Sequence, residues 1–295
     1  MRPFRSHGMS CSPRGTARGT VASLAGLWAL AGLLALAPAP AAAQVAVEDL
    51  EVHLQLVRDT AVLTSVVPIK NEEKRPQQVR ITVGDWVRDS LGNNVFSEAG
   101  SASQHCGRKL SVFPTTFQVA PGATELLRIS YAPGAVDDGC WAIVFVETVL
   151  PPSPRPDAPG SFLTLELRTG VKVYVHRPDA HRAAIVESAD VGMVWRPVPP
   201  RADGKRDSVH VREATVLVAN TGTAHLRIKN TLEIRDAQAK LLHTVTGPDA
   251  PMTPGSARYI PLRVPTLPPG DYVAIILLDY GGDEIAAAQV EFKVP

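Results

Sequence analysis

Catalysis needs a nucleophile or an acid–base pair held beside an orienting group, and no spacing in this sequence assembles one. There is no GxSxG, no HExxH, no CxxC pair and no phosphate-loop glycine pattern. Downstream of residue 44 the histidines are His53, His105, His176, His181, His210, His225 and His243. His176 and His181 lie five apart across an Arg-Pro step without a third donor, whereas a structural zinc takes about four. Asp137 and Asp138, and Asp279 with Asp283 and Glu284, fall in turn-like stretches that suit solvated carboxylates better than calcium ligands. The expectation is a protein that is not an enzyme and takes no metal and no cofactor. The chemistry left is a cysteine pair, one well-placed lysine and a row of aliphatic side chains.

The cysteines depend on the compartment. Residues 1–43 carry Arg2, Arg5, Arg14 and Arg18 and no acidic residue. The apolar run Val21 to Ala37 follows, then "PAPAAAQ" with Ala41 and Ala43 at small-residue positions. That layout predicts a signal peptide over 1–43, cleaved after Ala43. The run is about 17 residues, at the short end for a spanning helix, and Pro38 and Pro40 close it. An exported protein with no stable transmembrane anchor after cleavage is expected. Export leaves Cys106 and Cys140, which an oxidising compartment pairs; the alternative is two buried thiols. Loss of the four leader arginines turns the net charge from +1 to −3. No basic block remains, so nucleic acid is not an expected partner.

The elements that must position these residues are strands. No segment after residue 44 sustains a helical stripe, while period-2 patterns recur between Gly, Pro and Asn. In the first half they cover 45–57, 61–70, 77–87, 109–119, 124–131, 140–149 and 161–176. In the second they cover 208–219, 224–235, 240–246, 256–264, 271–280 and 284–294, preceded by opening strands in "AAIVESADVGMVW". The fold class read from this is all-β, with two immunoglobulin-like β-sandwich domains after the signal peptide. The domains are 44–178 and 179–295, with "RPVPPRADGKRD" (196–207) as a linker or a long loop. A Pro-Gly turn feeds a strand at 121–122 and again at 254–255, hinting at two copies of one architecture. Trp141, beside Cys140, is expected in the first core or against the disulfide.

"GSFLTLELRTGVKVYVHRP" (160–178) is the longest alternation. Leu163, Leu165, Leu167, Thr169, Val171, Val173 and Val175 share one phase, and Glu166, Arg168, Lys172, Tyr174 and His176 share the other. Either every odd residue is buried at home, or the leucines point away from their own core toward a partner's groove. An exposed aliphatic edge invites uncontrolled pairing unless it is used, and strand addition is one use.

The first domain resembles the N-terminal domain of the periplasmic chaperones that assemble bacterial pili. The resemblance runs from about 45 to 178. It rests on "IKN" (69–71), "VFPTTFQVAPGATELLRIS" (112–130), "CWAIVFVE" (140–147) with the Pro-rich loop after it, and the ending "RTGVKVYVHRP". It implies a non-enzymatic periplasmic chaperone-like protein that binds pilus or surface-fibre subunits by donating a β-strand, with an outer-membrane usher as a further partner. Leu163, Leu165 and Leu167 would enter the subunit's groove, and Lys172 would anchor its C-terminal carboxylate. The family's arginine on the first strand has no counterpart: counting back from Asn71 falls near Gln55, and Arg58 is the nearest arginine. The second domain looks more like a general immunoglobulin-like module of exported proteins. "VGDWVRDSLGN" (83–93) resembles exported proteins with a chaperone-like first domain. The alternative function is an exported structural or protein-binding module with no chaperone activity.

Overall fold

Alternating side chains commit the chain to strands, and the turn residues decide where each stops. In the computed structural model the described residues are 45–57, 62–101, 105–133, 139–149, 153–154, 160, 162–163, 165–199, 204 and 206–295. The expected signal peptide and Arg58 lie outside them. The first twelve strands are β1 (Val45–Val47), β2 (Glu51–Gln55), β3 (Leu63–Asn71), β4 (Gln77–Arg88), β5 (Asn94–Glu98), β6 (Leu110–Phe113), β7 (Thr116–Val119), β8 (Thr124–Tyr131), β9 (Cys140–Val149), β10 (Ser153–Pro154), β11 (Phe162–Leu163) and β12 (Glu166–His176). One sheet runs β1-β3-β8-β6 and faces a second, β2-β12-β9-β4-β5, with β7 also on β4; β10 and β11 pair separately. Val67, Ile69, Leu127, Ile129, Val144, Val171 and Val173, all fully buried, fill the space between the sheets.

Eight more strands follow: β13 (Ala184–Pro197), β14 (Ser208–Asn220), β15 (Leu226–Asp236), β16 (Leu241–Thr246), β17 (Ala250–Met252), β18 (Ala257–Arg263), β19 (Gly270–Asp279) and β20 (Ala286–Val294). Sheets β13-β14-β18 and β16-β15-β19-β20 enclose a core that includes Val216, Ile228, Leu232, Ile260 and Ile276. The molecule is thus almost wholly β, in two sandwiches. No helix among the described residues is long and apolar enough to cross a membrane.

The two sandwiches share a corner. Asn71 is fully buried; its amide donates to Arg75 O at 2.8 Å and Val119 O at 3.0 Å, and its Oδ1 accepts from Glu73 N–H. Its backbone holds the Pro121-Gly122 turn, with Gly122 N–H donating to Asn71 O at 3.0 Å and Asn71 N–H to Ala123 O at 3.0 Å. In the second sandwich Asn220 takes the same place. Its amide donates to Ala224 O, Gly255 N–H donates to Asn220 O at 3.0 Å, and Asn220 N–H donates to Ser256 O at 2.9 Å. Gly122 at φ +70 and Gly255 at φ +72 occupy the left-handed region, where any other residue is strained. The rhythm of the two Pro-Gly turns is therefore a structural correspondence.

Several strand boundaries differ from the expectation, each for a local reason. The expected 45–57 strand is two strands in opposite sheets, because the chain crosses between them at Glu48–Leu50. The expected 109–119 strand breaks at Pro114, which has no N–H to give a ladder. β5 and β17 lie outside the strands expected from the sequence, and each is held by a neighbour, β4 and β15 respectively. Arg196 and Pro197 end β13, paired with Val209 and Ser208 of β14, and Val198 N–H donates to Asp207 O at 3.0 Å, so the stretch expected as a linker or a long loop joins two paired strands of the second sandwich. β9, an almost wholly apolar strand, is buried on both faces.

Cys106 and Cys140 form a disulfide with Cα atoms 5.5 Å apart, closing a 34-residue separation inside the first sandwich. Replacing both with serine is expected to lower the unfolding free energy by about 3–4 kcal/mol, from loop-closure entropy. Urea midpoints of the oxidised parent and the double variant measure it; equal midpoints would contradict it.

Candidate protein-binding edge and cleft

β12 pairs with β9 over Glu166 to Val175 but with β2 only over Lys172 to His176. From Glu166 to Val171 its other side meets no strand among the described residues. The odd phase changes environment along this length. Val171 and Val173 are fully buried, while Leu167 is 43% and Leu165 48% exposed. The strand outruns its own core: on β12, Val171, Val173 and Val175 belong to the inter-sheet cluster and the leucines do not. Leu163 sits in β11, opposite Ser153, and its side chain is outside the described set.

The even phase is braced. Glu147 on β9 is 6% exposed, and it accepts from Arg80 Nε at 2.8 Å and Thr82 Oγ1 at 3.1 Å and pairs with Arg168 Nε at 2.9 Å. Arg80 also reaches Glu166 at 2.7 Å, and the Arg168 guanidinium lies 3.5 Å from the Phe145 ring centroid. Buried ionic groups need such multiple partners to offset desolvation. The result is a charged ladder across β4, β9 and β12 that fixes the strand's face while its edge stays open. A Cβ at Gly170 would lie 2.7 Å from Ile143 Cδ1, so a larger residue there makes that side chain shift.

Further along the same face stands an aromatic cluster of Trp86, Trp141, Ile143, Phe145 and Tyr174. Trp141 is buried, but on the sheet's outer face and not between the sheets. The two indoles lock together: Trp141 Nε1 donates to Trp86 O at 2.8 Å and Trp86 Nε1 to Ala142 O at 3.1 Å. The second sandwich closes over this cluster. His225 meets Trp141 edge-on at 5.2 Å and Tyr174 at 4.4 Å, and Arg227 pairs with Glu51 at 2.8 Å. On the far side the turn after β4 docks on β18, where Tyr259 N–H donates to Ser90 O at 2.8 Å. Between the sandwiches a cavity of about 410 Å³ is lined by His53, Trp86, Arg88, Tyr174, His176, His225 and Arg227, among others.

No protein-family model matches the chain, and no curated protein is significantly similar to it. Solved structures match it at low identity. The chaperone–tip adhesin complex of CFA/I fimbriae biogenesis is 10% identical over 85% of this chain and 98% of that one, with a TM-score of 0.47. The class 5 fimbriae chaperone CfaA is 11% identical over 85% of this chain and 99% of its own, at 0.44. The CsuC–CsuE pre-assembly complex of Acinetobacter baumannii Csu pili is 11% identical over 74% of this chain and 90% of that one, at 0.42.

Lys172 lies at the inner end of the open edge. Its N–H donates to Leu50 O at 2.9 Å and its ammonium sits 4.9 Å from the Trp86 ring centroid. It does not line the cavity itself; Trp86 does. Burial, then the nearby Arg88 charge, lowers the Lys172 pKa. Its partner across β2 is Glu51, and Gln55 faces His176 instead. Of the residues lining the cleft, sequence reasoning weighed His176 only as a metal ligand and did not single out Trp86, Arg88, His225 or Arg227. The usable signal was "DWVRD", which places Trp86 and Arg88 two apart on a strand and so on one face.

The cleft also collects imidazoles. His53 Nδ1 lies 2.8 Å from His176 Nε2, and the His176 and His225 rings are 5.7 Å apart. Burial, followed by repulsion from His176 and His53, holds the His225 pKa down at about 3. Burial, then His53 and Arg182, holds His176 at about 4. Both are uncharged in the folded protein near neutrality, whereas an unfolded chain protonates them around the ordinary imidazole value of 6.5. The folded state therefore binds fewer protons below that pH. The stability these groups support is complete above it and is lost as the pH falls toward 4. The urea midpoint is expected to drop between about pH 7.5 and 5, and His225→Phe is expected to shed part of the drop. Parallel pH profiles for parent and variant would contradict this.

Proposed function

We propose that the protein is an exported, non-enzymatic chaperone of the periplasm, with domains 44–178 and 179–295 behind a cleaved leader at 1–43. It holds pilus or surface-fibre subunits by lending them the edge of β12. The observation that carries this is the half-open strand: paired with β9 but meeting no strand on its other side from Glu166 to Val171 among the described residues, with Leu167 exposed on it and Leu165 exposed just before it. A client strand added there gains backbone bonds along the edge and pockets for alternate side chains. It must stop where β2 takes over at Lys172, which brings a chain end beside an ammonium and suits a terminal carboxylate. Motifs resembling the pilus chaperones and the leader-like layout of residues 1–43 support this reading, under which an outer-membrane usher is a further partner.

One observation favours the second reading, a binding module that donates no strand. Glu51 stands across from Lys172 where the pilus chaperones place an arginine nearby. A photo-crosslinking residue separates the two. Placed at Leu167 it is expected to trap small β-rich subunits in the periplasm, while the same group at the exposed Leu241 traps none. Equal products from both positions would overturn strand donation.

A further inference from the structure

We propose that Arg88 of β4 is the second cation of the carboxylate site, acting with Lys172 across the shared Trp86 indole. The inference rests on the reading of Lys172 as an anchor, and adds a residue which that reading does not contain. The first strand supplies no cation here: Glu51 faces Lys172, and its carboxylate is taken up by Arg227 at 2.8 Å. Arg88 shares the phase of Trp86 on β4, and its guanidinium lies 5.6 Å from the centroid of the same ring that carries Lys172. One of its nitrogens, Nη1, is tethered to Gly92 O at 2.7 Å. That bond orients the fork and leaves Nε and Nη2 without a hydrogen-bond partner among the described residues.

Neither Lys172 nor Arg88 forms an ion pair among the described residues, although Asp89 and Glu51 are close enough in sequence or register to have done so. Asp89 instead caps its own turn, accepting from Leu91 N–H, Asn93 N–H and the Asn93 amide. Two cations on one buried aromatic ring repel each other, and an anion seated between them relieves that repulsion while accepting charge-assisted bonds from both. A guanidinium fork and a point ammonium together fit the two oxygens of a carboxylate. Arg88 also lines the cavity between the sandwiches, so the group is reachable from solvent.

The test uses a fluorescein-labelled heptapeptide of alternating valine and threonine with a free C-terminal carboxylate, and the same peptide as its C-terminal amide. Anisotropy titrations of the purified protein are expected to show tighter binding of the acid. Arg88→Gln and Lys172→Gln should each reduce that preference about tenfold while leaving the amide's affinity alone. Arg88→Lys should restore part of it, and serves as the deciding variant if Arg88→Gln melts early. If Lys172→Gln abolishes the preference while both Arg88 variants keep it whole, the anchor stands and the Arg88 assignment falls. If the parent binds acid and amide alike, or neither, the carboxylate site itself falls.

Discussion

Glutamate at both Leu165 and Leu167 is expected to leave the protein folded and to abolish its hold on the subunit trapped at position 167. Leu167 is exposed on the open part of β12 and Leu165 just before the strand, so the charges meet water. The cost in stability should stay within about 0.5 kcal/mol, as for other surface changes. In a client's groove the same two side chains would each bury roughly 1.5–3 kcal/mol of apolar contact. Losing both should weaken capture by about a hundredfold or more. Val173→Glu is the matched contrast. It lies on the same strand and the same phase, but it is fully buried between the sheets. A carboxylate there has no partner, and the domain should unfold or carry a neutral acid at a cost of several kcal/mol, roughly the scale of an unpaired buried charge. Thermal melting, and co-purification of the subunit identified by crosslinking at position 167 of the parent, measured on the two variants side by side, make the comparison. A melting collapse in the double leucine variant would show that the leucines belong to a private core.

Trp141→Ala is expected to cost about 3–5 kcal/mol, the range for truncating a buried aromatic residue. The ring is 4% exposed, packs against His105 at 5.3 Å and His225 at 5.2 Å, and donates to Trp86 O. Trp141→Phe keeps most of the ring and loses the indole N–H, leaving Trp86 O short of a partner for about 1–3 kcal/mol. The order of the two losses distinguishes packing from hydrogen bonding. Because His225 belongs to the second sandwich, the alanine variant should also loosen the docking of the two halves. Protease cleavage between His176 and Ala184, where the chain passes from one sandwich to the other, should then run faster than in the phenylalanine variant. An unchanged urea midpoint in Trp141→Ala would contradict the buried position.

Local pattern and long-range placement divide what could be read from the chain. Period-2 alternation and its punctuation by Gly, Pro and Asn reported the strands because each strand's burial is decided by its own side chains. The strand at 124–131 and the one at 140–149 stand where the pattern put them. The disulfide was legible because only two cysteines follow the expected leader. Short strands such as β5 and β17 were not legible, because they exist by virtue of the neighbour that completes their hydrogen bonds. Alternation in β12 could not say where its odd face leaves the core, since Leu167 and Val173 look alike in sequence. That depends on how far β2 and the opposing sheet extend. Nor could it gather Trp86, Arg88, Lys172 and His225, which come from three separated segments, His225 joining the others only when the second sandwich folds over the first. The sequence by itself determined two sandwiches, a bridged first one and a long aliphatic strand, because these follow from local periodicity and composition. The tertiary structure alone decided that the strand's edge is open from Glu166 to Val171 and that a cationic, imidazole-lined cleft begins where it closes, because edges and clefts are made by the ends of other elements.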